Sequence, residues 1–167
     1  MGTVVQNVER DDAYYGIVMT NDGRRLYVSS GATKRVDAYD VDPESGGLTL
    51  STSTSLPIVT SGLALSDDEQ RVFVGEAEGN RLLALDVAAL GTEAAVVSTW
   101  TTLSAIWDIE VLRGRDTLVV SSMISDEVQA VRTTTGEVLP AVEVGRSPMG
   151  MVSSADGGRL WVAVSGA

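Results

Sequence analysis

Four thirteen-residue stretches of this chain align on one another without a gap. Residues 16–28 (GIVMTNDGRRLYV) recur as 62–74 (GLALSDDEQRVFV), 108–120 (DIEVLRGRDTLVV) and 150–162 (GMVSSADGGRLWV), at offsets of 46, 46 and 42. A second element, 35–41 (RVDAYDV), 81–87 (RLLALDV) and 127–133 (EVQAVRT), keeps the step of 46. Repetition at this period means one supersecondary unit used several times, each copy burying its apolar faces against its neighbours.

The first copy reads as four strands. Residues 16–20 are a short β-rich run closed by Asn21-Asp22-Gly23, where Asn and Gly accept positive φ. Residues 24–29 follow, then a polar connection at 30–34, a third run at 35–41 and a turn at 42–47 (DPESGG). The fourth run, 48–56 (LTLSTSTSL), is rich in β-branched Thr. Leu26 and Val28 fall on one face of the second strand and Tyr27 on the other, and Val72, Val74 and Phe73 keep step. Sheets apolar on both faces must be covered on both. Helical periodicity is confined to 87–90, too short to count. The fold class is therefore all-β: a β-propeller of four-stranded antiparallel blades.

Residues 1–167 read as a single repeat module with copies starting near 16, 62, 108 and 150. They supply three complete blades plus two partial ones: a candidate strand at 3–8, and two strands at 150–154 and 159–165 after the last full copy. One chain is therefore expected not to close its own ring. Either further blades lie outside it, or copies complete each other, residues 3–8 of one chain filling the terminal blade of another. An open strand edge invites such pairing.

Composition narrows the chemistry. Cysteine and histidine are both absent. That removes disulfides, thiolate nucleophiles, imidazole bases and Cys/His metal sites. A net charge of −11 disfavours nucleic acid and anionic membranes as partners. No apolar run approaches a membrane span. The first residues, MGTVVQNVERDD, lack the basic and apolar regions of a secretory signal.

Asp22-Gly23-Arg24-Arg25-Leu26-Tyr27-Val28, Val36-Asp37-Ala38-Tyr39-Asp40, Thr135-Gly136-Glu137 and Pro148-Met149-Gly150 resemble the YVTN-type propeller repeat, related to the lactonase-like propellers. Val144-Gly145-Arg146-Ser147-Pro148 resembles its inter-repeat join. Two copies depart from it. Asp67-Asp68-Glu69 lacks the turn glycine, and Arg132 stands where Asp40 and Asp86 do. The resemblance implies a fold that serves both binding scaffolds and lactone hydrolases, and it admits an extracytoplasmic home. It also implies ligand sites on the face that carries the inter-blade connections and the second-to-third-strand loops.

On that face the candidate ligand- or partner-binding residues are Tyr15, Trp107 and Met149, which precede their repeats, and Lys34, Glu76, Glu78, Asp126 and Arg146 from the loops. Ser61 shares the register of the first three. No catalytic residue and no metal ligand is assigned. Paired carboxylates could hold Ca²⁺ through oxygen, but no spaced calcium loop is present, so no cofactor is expected. Asp40 and Asp86 recur and read as turn-capping acceptors, and Gly16, Gly62 and Gly150 as sites of close strand packing. The preferred function is a non-catalytic binding or assembly scaffold whose ring is completed by oligomerisation, with a second copy or a companion propeller chain, or by a missing remainder of the chain, with a small-molecule ligand possible at the blade-top face. The alternative is a lactonase-like hydrolase using Glu76, Glu78, Asp126 and Arg146.

Overall fold

The computed structural model describes residues 3–10 and 15–166. The first sheet is an antiparallel meander of β1 (Ile17–Met19), β2 (Arg25–Ser29), β3 (Arg35–Val41) and β4 (Leu48–Ser55). The second comprises β5 (Thr60–Leu65), β6 (Arg71–Glu76), β7 (Arg81–Asp86) and β8 (Val96–Thr101). The third comprises β9 (Ile106–Val111), β10 (Leu118–Ser122), β11 (Glu127–Val131) and β12 (Val142–Glu143). A hairpin of β13 (Pro148–Ser153) and β14 (Leu160–Val164) follows. Helical structure in the described residues is limited to three one-turn 3₁₀ segments.

The repeat is kept in register as well as in sequence. Leu26 pairs with Tyr39, Val72 with Leu85 and Leu118 with Val131, all at equivalent positions. Successive strand residues point to opposite faces, so the second sheet, flanked on both sides, feeds two cores. Tyr27, Val36 and Ala38 pack with Leu63, Val72, Val74, Leu83 and Leu85 between the first two blades. Ala64, Phe73, Leu82 and Ala84 pack with Ile109, Leu118, Val120 and Val131 between the second and third. Val119 and Val128 are buried on the far face of the third blade, while Met151, Leu160 and Val162 of the hairpin stay partly exposed.

Glycine is needed where the innermost strands approach. A Cβ on Gly16 would lie 2.7 Å from the Leu63 nitrogen and the Ser61 oxygen, and one on Gly62 would lie 2.7 Å from the Trp107 oxygen. At Gly150 a Cβ would meet nothing within 4 Å, because among the described residues no further blade lies against the hairpin. The close-packing expectation thus holds for the first two positions only.

The turns explain the departures from the repeat. Thr20, Ser66 and Ser154 donate to the carboxylates of Asp22, Asp68 and Asp156, which also accept from Arg24, Gln70 and Gly158 N–H. These bonds pull all three carboxyls below the usual carboxylate range. Glu69 replaces the turn glycine yet adopts φ +57°, and its carboxylate accepts from Asn21 N–H of the preceding blade at 2.6 Å. Asp86 caps Ala88 N–H as expected and also pairs with Arg71. Asp40 pairs instead with Arg25 across the ladder. Arg132 donates to Thr117, which occupies the position of Arg25 and Arg71, so the cross-strand couple is kept with its donor on the other strand.

The candidate strand at 3–8 is not formed. Gln6 there does with its side chain what a strand would do with its backbone: its carboxamide donates to the Leu48 carbonyl and accepts from Leu48 N–H. The segment is anchored further by Arg10, whose guanidinium lies 2.9 Å from the Asp37 carboxylate. Asp37 is 2% exposed and is also bonded by Arg35 and Ser53. Burial pushes its carboxyl up, but the bonds from Arg10, Ser53 and Arg35 outweigh this and hold it below the ordinary value. A lowered folded-state pKa gives stability that is present above the ordinary carboxylate value and lost as pH falls through the lowered one. Arg10→Ala is expected to cost about 1–2 kcal/mol at neutral pH, since Arg35 remains. It should also flatten the acid limb of the stability–pH curve, measured by denaturant titration across that range.

Candidate functional site

Antiparallel meanders return the second-to-third-strand loops and the inter-blade connections to the same end of every blade. All eight candidate residues therefore stand at one end of the stack. Three of them converge. Tyr15, Trp107 and Met149 line a cavity of about 490 Å³ whose floor includes Gly16, Gly62 and Gly150. The rings of Tyr15 and Trp107 meet edge to face, with centroids 4.9 Å apart. A register shift at the start of the innermost strand places Trp107 and Met149, and the same shift recurs in the second blade. The pairing slips between Thr60 and Leu63, between Ile106 and Ile109, and between Pro148 and Gly150. Such bulges re-aim a side chain at the start of a strand. Ser61 is diverted elsewhere: it is buried, its carbonyl accepts from the Ser29 hydroxyl, and a Cβ on Gly75 would lie 2.7 Å from its Oγ.

The remaining candidates hold loops together. Lys34 and Asp126 occupy equivalent positions and both take the left-handed conformation, at φ +56° and +58°. With Asn80, which shares their register, they offer carbonyls to Leu56, Val144 and Thr102 N–H, each just past a fourth strand. The Asp126 carboxylate also accepts from Ser147 N–H at 2.8 Å. Glu76 is buried and takes both the Nε and Nη2 of Arg81, at 2.9 and 2.7 Å. These bonds pull its carboxyl below the usual range. Glu78 and Arg146 are exposed. Glu76 and Glu78 thus form no shared cation cradle. Among the described residues no three Asp or Glu gather as a metal site.

Two side chains that sequence reasoning passed over stand at the innermost strand of the third blade. Asp108 occupies the repeat position of Gly16, Gly62 and Gly150, and Glu110 follows two residues on. Asp108 accepts from Met151 N–H at 2.7 Å and Glu110 from Ser153 N–H at 2.8 Å, so both reach the next blade. The one signal available was an acid where the other copies have glycine.

No family model matches the sequence, and no curated protein matches it significantly. Solved structures do. Hydrazine synthase of Kuenenia stuttgartiensis aligns with TM-score 0.79 and 16% identity, over 99% of this chain and 46% of that one. A putative 6-phosphogluconolactonase of Bacteroides uniformis aligns with TM-score 0.72 and 14% identity, over 90% and 47%. Another, from Bacteroides fragilis, aligns with TM-score 0.74 and 16% identity, over 90% and 47%. The chain spans about half the length of these relatives. No helix among the described residues is long and apolar enough to cross a membrane. At such identities the likeness is one of architecture: the chain has a lactonase-like β-propeller fold, whose described residues build three four-stranded blades and one two-stranded blade.

Proposed function

We propose that the chain is a binding and assembly scaffold whose unfinished blade is completed by oligomerisation, with a second copy or a companion propeller, or by further blades of its own polypeptide. One observation carries this reading. Val152 and Trp161 of the terminal hairpin are exposed, while their repeat equivalents Val18, Ala64, Tyr27 and Phe73 lie in inter-blade cores. Among the described residues the outer edge of β14 also has no neighbouring strand. A bare edge beside an uncovered apolar face offers backbone pairing for affinity and side-chain pockets for register. The segment at 3–10 is tied to its own first blade, so the incoming strand is supplied by another part of the partner. Light scattering is expected to give a solution mass at least twice the 17.5 kDa of the chain, or to do so once the companion is added. A cooperatively folded species that stays monomeric at micromolar concentration in both cases overturns completion by another chain.

The likeness to putative 6-phosphogluconolactonases favours a second reading, lactone hydrolysis at the axial face. Its support is weaker, because Glu76 is engaged by Arg81 and Asp126 by Ser147 N–H of the following inter-blade connection. Turnover of sugar lactones, assayed with and without Ca²⁺, separates the two.

A further inference from the structure

The three blade junctions are not built alike. At the first and second, a glycine lets the backbone of the next innermost strand come into contact, and an apolar core closes the rest. At the third, the glycine is replaced by Asp108 and the following inward position, held by Val18 and Ala64 in the earlier blades, is Glu110. β13 packs on β9 and β10, with β14 as its one ladder partner. Its remaining edge would leave N–H groups without a strand partner. The two carboxylates take those groups in step: Asp108 bonds Met151 N–H at 2.7 Å, and Glu110 bonds both Ser153 N–H, at 2.8 Å, and the Ser153 hydroxyl, at 2.6 Å. Spaced two apart on β9 and two apart on β13, these bonds fix one register between the strands. A slip by one residue would present the intervening N–H, which points the other way.

We propose that Asp108 and Glu110 form a carboxylate clamp that sets the position of the unfinished blade, taking over the role that glycine-to-backbone contact plays at the other junctions. The proposal rests on the assembly reading in one respect: the clamped hairpin is the surface a partner would meet, so the clamp decides how that surface is presented.

The clamp is also sensitive to protons. Burial pushes the Asp108 carboxyl up, the neighbouring Glu110 charge adds to this, and the bonds from Met151 and Ile109 N–H oppose it; the net direction is upward. Asp67 and Glu69 from the turn after β5 and Arg113 from the turn after β9 line the same channel. β5, β10 and β13 themselves carry no ionisable side chain. A carboxyl whose folded-state pKa is raised costs stability when ionised, and the cost is relieved as pH falls through that value toward the ordinary one. Ionisation of Asp108 therefore costs the fold stability at neutrality that mild acid relieves, while the Met151 N–H bond itself favours the ionised carboxylate.

Amide hydrogen exchange on the intact chain tests this. In the unaltered protein, Met151 and Ser153 amides are expected to be protected despite lying on an edge strand. Their exchange is expected to speed up at least tenfold in Asp108→Ala/Glu110→Ala, with β6 amides unchanged. The isosteric pair Asp108→Asn/Glu110→Gln, which guards against loss of folding, should give a smaller rise. In a pH series followed by NMR, the Met151 amide is expected to shift with the Asp108 carboxyl, at a midpoint above that of an ordinary aspartate, and Glu110→Gln should lower that midpoint. A hairpin that merely packs in place would show no such co-titration. Unprotected amides in the parent, or equal protection in parent and both variants, overturns the clamp. The solution masses keep the two readings apart. A parent chain that never associates, but whose amides open in the variants, sinks the assembly reading and upholds the clamp. An associating parent whose amides and self-association are unmoved by the variants sinks the clamp alone.

Discussion

Gly62→Ala is expected to cost the fold roughly 3 kcal/mol, the upper end of what one inserted methyl group does in a packed interior. The new Cβ would lie 2.7 Å from the Trp107 carbonyl oxygen and 3.0 Å from the Asp108 Cα. Both are backbone atoms of β9, held between its paired residues Ile106 and Ile109, so neither can swing aside as a side-chain tip would. Gly62 has no positive φ, so alanine meets no conformational penalty there and the loss is purely steric. For a domain of this size that loss corresponds to a fall in Tm of about 6–12 °C. Gly150→Ala, at the same place in the last repeat, meets nothing within 4 Å and should lie within about 0.5 kcal/mol of the parent. Urea titrations of the two variants measure the difference directly. Equal effects would mean that the blades do not stack as described.

A second pair of variants reads the apolar side of the same asymmetry. Phe73→Ala is expected to destabilise by about 3–5 kcal/mol, the usual cost of emptying a buried aromatic site. Phe73 is 2% exposed, packs among Leu118, Val120 and Val131, and lies 6.2 Å from Trp100 between ring centroids. Trp161 is its repeat equivalent and is 53% exposed. Trp161→Ala should change the stability of the dilute chain by less than about 1 kcal/mol. If another chain covers the hairpin, the same substitution becomes costly as concentration rises, because association stabilises by mass action. Thermal unfolding at two concentrations therefore reports on the core and on the partner surface together.

The architecture was legible because its determinants are local and repeated. The span of β3 coincides with the expected 35–41, and the register of each blade follows from the apolar pattern around Tyr27, Phe73 and Val119. The gathering of Tyr15, Trp107 and Met149 was legible from their equal spacing ahead of each repeat. Other features were not, for separate reasons. The segment at 3–8 has β-rich composition, yet Gln6 meets the edge of β4 through a side-chain amide, a substitution that composition does not reveal. The fourth strand of the third blade shrinks to Val142–Glu143, and Pro140 just ahead of it has no N–H to give a ladder. Glu76 looks like a channel carboxylate until its partner five residues on, Arg81, is seen to hold it. Asp108 and Glu110 act on backbone groups 43 residues away, and backbone donors carry no residue type for a sequence to display.

The slip in pairing at the start of β5, β9 and β13 has a consequence for how such a chain can diversify. Trp107 and Met149 sit inside the slipped stretches, where the ladder makes no regular pair with them. Their identity is uncoupled from the hydrogen bonding that fixes the strands on either side. Mutation can therefore rewrite the rim of the cavity one blade at a time, each change leaving the framework undisturbed, and the rim becomes a set of separately adjustable letters on a constant page.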